Sequence, residues 1–405
     1  MKSIAVIGGG ASGIMAAIFA SDNRCGVSLF EKQKSIGRKI LATGNGRCNL
    51  SNRNIDTPHY HGNNPRVTLN IFSRFGLNET IEFFESIGIP VIEEKEGRLF
   101  PESLHASSIV RILEYELSKR NIDIKLNRKI EKIIPDKKGI RLVTAGKEEH
   151  VFDSVILSAG SCAYPQLGAS RTGYELASSL GHKIIEPFPA ILPLNIIQKE
   201  IRRMEGIKRI CKVSAVIGGK IRAESTGDLL FTEYGISGTA VLDISRAANE
   251  AAIKGENPEI IIDFFPDTAV HDFSRKIEDL FSDTNKEAAL CLSGIMQYRM
   301  AGALLAISGL NPSIRAGDIT GNDKKGIVKT LKSLKLSAGE PRSFKEAVTA
   351  AGGVDVNEMN PVTMESKIIK NLFITGELLD IDGDSGGYNL QFAWSTGALA
   401  GMAQK

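Results

Sequence analysis

Apolar residues change their spacing several times along the chain, and each change predicts an element. Ser3 to Ile7 is a short β-branched run of strand length, the glycines that follow cannot continue it, and Ser12 to Ser21 has an apolar face at helical spacing. Val27 to Phe30 is a second short apolar run, so the chain opens as a βαβ unit. A Gly/Asn-rich loop from Gly37 to Asn52 comes next, then amphipathic segments near Arg66 to Phe75 and Asn78 to Ile87 and a helix from about Ala106 to Arg120. Four short strands are expected at Ile122 to Leu126, Lys129 to Ile134, Ile140 to Thr144 and Ser154 to Leu157. Alternating helix and strand argues an α/β fold, and the strand cluster argues a meander set into it.

The second half has a different character. The run EPFPAILP, Glu186 to Pro193, holds three prolines that stiffen the chain and disfavour helix, which marks a domain boundary. Cys211 to Ile217 and Lys220 to Ala223 flank Gly218-Gly219, and that pair takes the positive φ a two-residue hairpin turn requires. The pattern turns helical over about 255–335, and from Phe344 apolar strand signals return as if the first domain resumed. The expected division is a first part at 1–190, an inserted domain at 191–342, and a returning part at 343–405.

Composition narrows the function classes. The chain has 405 residues and a net charge of +3, which gives ample core for more than one domain and no strong electrostatic footprint for nucleic acid or anionic lipid beyond local basic patches. Its 40 glycines exceed the roughly 7% of an average protein while its 14 prolines fall below the roughly 5%, a bias toward tight turns near a ligand rather than disorder. Five scattered cysteines without a C-x-x-C suit free thiols in a reducing compartment, no stretch reaches the roughly 18 apolar residues of a membrane span, and three consecutive glycines argue against a secretion signal. A cytoplasmic protein is expected.

The chemistry gathers in the glycine segments. Gly8-Gly9-Gly10-Ala11-Ser12-Gly13 satisfies G-x-G-x-x-G between a strand and a helix: Gly8 permits the turn, Gly10 admits a pyrophosphate to the backbone, and Gly13 lets helix and strand pack closely. Glu31, eighteen residues after Gly13, ends the second strand where a carboxylate accepts ribose hydroxyls and repels a 2′-phosphate. A dehydrogenase would need little from the far C-terminus, yet three more glycine-rich segments occur. Gly37-Arg38-Lys39 and Thr43-Gly44-Asn45-Gly46-Arg47-Cys48-Asn49 follow Glu31 and Lys32 and suit a pyrophosphate. Ala159-Gly160 ends a strand in small residues. Asn371 to Gly401 reads as strand, glycine-rich loop, and a helix beginning near Tyr388, whose N-terminus suits the charge that accumulates at a reduced flavin's O2/N1 edge. A cofactor extended between both chain ends points to FAD.

The segments GGGASG, EKQKSIGRK, TGNGRCNLSN, FTEYGISG and TMESKIIKNLFITGELLDIDGDSGGYNLQFAWSTGALAG closely resemble the bacterial flavoprotein family that includes aminoacetone oxidase-like and bile-acid enone reductase-like proteins. The resemblance covers essentially the whole chain. It implies a Rossmann-type FAD-binding domain interrupted by a β-barrel-like domain with a helical insert. It also implies that Gly376, Glu377, Gly386, Gly387, Tyr388 and Asn389 meet the cofactor, and that backbone near Ile130 meets the adenine. Two departures stand out: Ser158-Ala159-Gly160 replaces a common A-T-G, and Glu233 follows FT where histidine is common.

Catalytic candidates are Tyr164, Cys48 and Tyr388, with Asn389 beside them, because flavin N5 itself performs hydride transfer and the protein needs only to orient substrate and supply a proton. Asp380, Asp382 and Asp384 have the D-x-D-x-D start of a calcium loop, but Ser385 and Gln391 stand where that loop requires Gly and Glu. His59 and His61 lack a third ligand nearby in sequence, so no metal is expected. The expected function is an FAD-dependent oxidoreductase on a small organic molecule. It either oxidises an amine or alcohol with O₂ or reduces an activated C=C bond with NAD(P)H as a transient reductant. The competing reading is a flavin-dependent RNA-modifying or RNA-binding protein that uses Arg202, Arg203, Lys208, Arg209 and the lysines from Lys324 to Lys335.

Overall fold

The structure is a computed structural model that describes residues 1–404. The chain forms two compact units, residues 1–188 with 348–405, and residues 189–347. In the first unit a parallel sheet of β1 (Ser3–Ile7), β2 (Gly26–Phe30), β3 (Asp123–Lys125), β4 (Ser154–Leu157) and β5 (Leu372–Ile374) runs in the order β5-β4-β1-β2-β3. Both β1 and β4 are buried nearly throughout, as befits parallel strands covered on two faces, so they read as continuous apolar runs without alternation. The segments Ile130–Asp136, Gly139–Thr144 and Glu149–Phe152 form an antiparallel meander.

β5 comes from the far end of the chain yet pairs with β4, which itself pairs with β1. The N-terminal helix Ala11–Asp22 packs on the C-terminal helix Tyr388–Met402 through glycines of the latter. A Cβ on Gly397 would stand 2.2 Å from Ser12 O, and one on Gly401 2.6 Å from Ala16 O, so only glycine permits this approach. The two chain ends therefore form one layer over the sheet.

The second unit is a six-stranded antiparallel sheet in which Lys208–Ile217, Lys220–Thr232 and Glu259–Asp263 are the long members. Its outermost strands, Leu194–Asn195 and Leu334–Ser337, are followed by a bridge between Ile196 and Ala338. Ile197 N–H donates to Ser337 O at 3.0 Å and Gly339 N–H to Asn195 O at 2.9 Å, so the sheet closes on itself like a barrel and loses its open edges. Gly218 and Gly219 turn the hairpin with φ of 57° and 74°. The stretch 255–335 is not helical throughout: Glu259–Asp263 is a strand, because EIIID alternates buried and half-buried positions between two antiparallel partners. Helices begin at Val270–Leu280 and continue through Ala288–Leu292, Tyr298–Ile307 and Gly321–Lys332.

Candidate functional site

The glycine turn after β1 is held from three sides. Gly8 N–H donates to Phe30 O at 2.8 Å, Gly37 N–H donates to Gly9 O at 2.8 Å, and Ser158 N–H donates to Ile7 O at 2.8 Å. A Cβ on Gly13 would stand 1.9 Å from Gly8 O and one on Gly8 2.3 Å from Ser158 O, so both positions are glycine for internal packing. Gly10 differs, since a Cβ there would meet nothing within 4 Å. Protein packing does not explain that glycine, whereas a pyrophosphate approaching the helix N-terminus does.

Glu31 stands at the same turn. Its Oε2 accepts from Gly9 N–H and its Oε1 from Gln33 N–H, each at 2.8 Å, which fixes the carboxylate and leaves lone pairs on both oxygens for ribose hydroxyls. The Glu31 carbonyl accepts from Arg128 N–H at 2.9 Å, which brings the segment leading to Ile130 beside it; a register shift at Ile130/Lys132 interrupts the strand ladder there. Lys32 Nζ donates to Ser170 Oγ at 2.5 Å, and burial pushes its ammonium pKa down. Arg38 is braced by Gln33 Oε1 at 2.6 Å. Lys39 reaches Glu377 at 2.6 Å, and Glu377 also accepts from Thr349 Oγ1 at 2.8 Å. That ion pair ties the loop after β2 to the loop after β5.

The 43–49 loop winds through left-handed backbone at Gly44, Asn45, Gly46 and Cys48, with Cys48 N–H closing onto Thr43 O at 3.0 Å. Its Asn49 Oδ1 is buried without a hydrogen-bond partner among the described residues, an acceptor left open to a ligand donor. Gly160, also left-handed, presents open space. Gly376 lies against Ser12, where a Cβ would stand 2.5 Å from its Oγ, so the loop after β5 meets the first helical turn directly. Gly386 and Gly387 lead into the C-terminal helix, which is pinned to the 49–52 loop by Trp394 Nε1 on Leu50 O at 3.0 Å and Ser51 Oγ on Gln391 Oε1 at 2.6 Å. Open space at Gly10 on a helix N-terminus, a fixed carboxylate and an orphaned buried amide oxygen fit a flavin adenine dinucleotide.

Several expected residues take other work. Arg47 pairs with Glu94 at 2.9 Å and lies over the Phe100 ring at 4.2 Å, so it braces the loop. Cys48 is fully buried, and burial pushes its thiol up to about 12, so it stays a protonated thiol rather than a nucleophilic thiolate near neutral pH. Asn389 spends its amide on Gly383, accepting from N–H at 2.9 Å and donating to O at 2.8 Å, and thereby shapes the loop rather than facing outward. Tyr388 is buried and stacked on His59. Tyr164 is half-exposed in left-handed backbone, its phenol pushed up by burial. Among the described residues no group of His, Cys, Asp and Glu is arranged to hold a metal ion, and Asp380 and Asp384 are engaged by Asn63 N–H and by histidines.

The sequence reading missed two histidine networks. His59 and His61 converge on Asp384, a partner more than 300 residues away that no local spacing reveals. His182, fully enclosed, links Glu358 at 2.7 Å to Ser366 at 2.9 Å. The cations assigned to RNA are largely engaged within the second unit: Lys332 pairs with Asp263 at 2.7 Å, Lys335 with Glu259 at 2.9 Å, Lys208 with Asp228 at 2.8 Å, and Lys324 with Glu278. Arg209 donates to Phe264 O and Ile295 O at 3.2 and 3.1 Å. No helix among the described residues is long and apolar enough to cross a membrane.

Comparison with known proteins agrees with this geometry. The HI0933-like protein Rossmann domain family matches residues 2–403, so the chain belongs to that family and is an FAD-dependent oxidoreductase. It is 37% identical over 407 residues to a 3-dehydro-bile acid delta(4,6)-reductase of Clostridium scindens, covering 100% of this chain and 99% of that one. It is 28% identical to a ribosomal RNA dihydrouridine synthase of Escherichia coli, over 96% of this chain and 95% of that one. A 3-ketosteroid delta1-dehydrogenase from Sterolibacterium denitrificans shares the fold, with a TM-score of 0.52 at 11% identity and 99% of each chain covered.

Proposed function

We propose that this HI0933-like flavoprotein reduces a C=C bond conjugated to a carbonyl in a small organic molecule, with NAD(P)H as the electron source. The observation that carries the reading is the full-length 37% identity with a reductase of an unsaturated 3-dehydro-bile acid. The name of the more distant relative points to the same bond chemistry, since dihydrouridine is uridine with its carbonyl-conjugated C=C bond saturated. FAD, when bound, supplies the hydride that such a reduction requires.

The chain's own residues support this in three ways. The turn at Gly8 to Gly13 with Glu31 binds the adenosine and pyrophosphate end, and the Lys39–Glu377 pair holds the loops after β2 and β5 together. The N-terminus of the C-terminal helix carries partial positive charge, which would favour the negative charge of a reduced flavin lying against it. The absence of a second G-x-G-x-x-G suits a nicotinamide that docks, reacts and leaves.

An RNA base is the second reading, favoured by the ribosomal RNA relatives and weakened by the internal pairing of Lys332, Lys335, Lys208 and Arg209. The test is anaerobic: FAD-loaded protein is bleached with NADH or NADPH, then offered a 3-oxo-4-ene steroid acid, a ribosomal RNA fragment, or air. Return of flavin colour with the enone, together with a product two hydrogens heavier, is expected. Colour that returns only with air would support an oxidase instead, and colour that returns only with RNA would support the second reading.

A further inference from the structure

Asp384 joins two histidines at the mouth of the C-terminal helix. His59 Nδ1 lies 2.9 Å from its Oδ2 and His61 Nε2 2.6 Å from its Oδ1. Backbone fixes this arrangement: Tyr60–His61 pairs antiparallel with Asp382–Gly383, and Asp384 N–H donates to His59 O at 2.9 Å. The His59 ring stacks on Tyr388, the first residue of that helix, with centroids 4.5 Å apart and planes at 19°. None of the three is sealed, with side-chain exposures of 36% for His59, 34% for His61 and 28% for Asp384.

A carboxylate only accepts, so both rings donate to it; the neutral forms carry their protons on His59 Nδ1 and His61 Nε2 and keep one basic nitrogen each. The other titratable groups facing the cluster are Asp56, 3.5 Å from His59 Nε2, Asp382 opposite His61, Tyr60 and Tyr388. Tyr60 donates to Tyr388 O at 3.2 Å, and burial, with Tyr388, Asp384 and Asp56 adding to it, holds its hydroxyl protonated. The two imidazoles carry the N–H groups of this cluster that reach solvent, and imidazole is the side chain most often used as a general acid.

We propose that the His59–Asp384–His61 cluster is the proton donor of the reduction proposed above, on which this inference rests. As hydride adds to the β-carbon of the conjugated C=C bond, that bond's electron pair moves toward the carbonyl. An imidazolium N–H of the cluster gives its proton to the α-carbon and forms the second C–H bond. The two electrons derive from NAD(P)H, the imidazolium becomes neutral imidazole, and solvent restores the proton. Asp384 orients both rings through its two oxygens.

The test separates the two half-reactions by stopped flow in the FAD-loaded full chain, for Asp384→Asn and for the double variant His59→Gln with His61→Gln. Enone-dependent colour return is expected to slow by on the order of 100-fold or more, a general acid's usual contribution. Nicotinamide-driven bleaching and flavin content are expected to stay within about threefold of wild type. Unimpaired colour return in both variants, or parallel loss of bleaching and flavin content, would overturn the proposal. Wild-type protein inert toward every conjugated enone would sink the parent reading as well, whereas active wild type with active variants would sink this inference alone.

Discussion

His182 and His59 each meet a carboxylate at hydrogen-bond distance, 2.7 Å to Glu358 and 2.9 Å to Asp384, yet their surroundings differ in every other respect. His182 is 3% exposed, and its second ring nitrogen meets Ser366 Oγ, which also accepts from the N–H groups of Ile368 and Ile369 at 3.0 and 2.9 Å. Serine, histidine and glutamate in that order suggest a hydrolytic triad, but the hydroxyl is enclosed and committed to a turn, so the network fastens three loops together. In the His59–Asp384–His61 group about a third of each ring is exposed, and the second nitrogen of His59 faces the exposed Asp56 at 3.5 Å. Exposure, rather than residue type, separates a fastener from a site that solvent and substrate can reach.

The sharpest way to break this comparison is to truncate both. His182→Ala leaves Glu358 and Ser366 facing a buried void, and a loss of about 2–3 kcal/mol in urea-unfolding stability is expected. His59→Ala, at a half-exposed ion pair, is expected to cost under about 1 kcal/mol in the same assay. Equal losses would erase the distinction.

A second contrast lies within the glycine turn. Gly13→Ala forces a Cβ against Gly8 O and is expected to destabilise the fold by more than about 2 kcal/mol. Gly10→Ala meets no protein atom and is expected to leave the unfolding midpoint nearly unchanged while lowering flavin content in the purified protein. Similar unfolding curves for the two variants would contradict the view that Gly10 is kept for a ligand.

The smallest expected effect concerns Asp153. Hydrogen bonds from Ser3 N–H and then Ser3 Oγ, both at 2.7 Å, hold its carboxyl below the usual carboxylate range. A depressed folded-state pKa contributes stability above the unfolded value of about 4, lost as pH falls through the folded one. Asp153→Asn is therefore expected to lower the urea midpoint slightly at pH 6 and progressively less as pH falls below the unfolded value of about 4. A difference that persists in acid would assign the effect to something other than this charge.

Much of the first unit was legible because its signals are local. The apolar runs at Ser3 to Ile7 and Ser154 to Leu157, the glycine turn and the helix start at Tyr388 each follow from a few neighbouring residues. The Gly218-Gly219 turn was legible for the same reason. The strand Glu259–Asp263 was not, since five residues of EIIID give no period and its partners lie far away in sequence. The histidine cluster was harder still: a two-residue strand pair brings His61 opposite Asp382, and no pattern in either segment announces the other. Arg47 illustrates the converse: a cation beside glycines whose pairing with Glu94 arises only in the folded loop and is announced by neither segment.

The account rests on the two ends of the chain forming a cradle for FAD, and its most direct measurement is the flavin spectrum and content of purified wild-type and Glu31→Arg proteins. Wild type is predicted to hold or take up FAD stoichiometrically, and Glu31→Arg, folded to the same unfolding midpoint, to lose most of it. Folded wild-type protein that neither contains nor binds FAD would contradict the account, as would a variant with undiminished flavin.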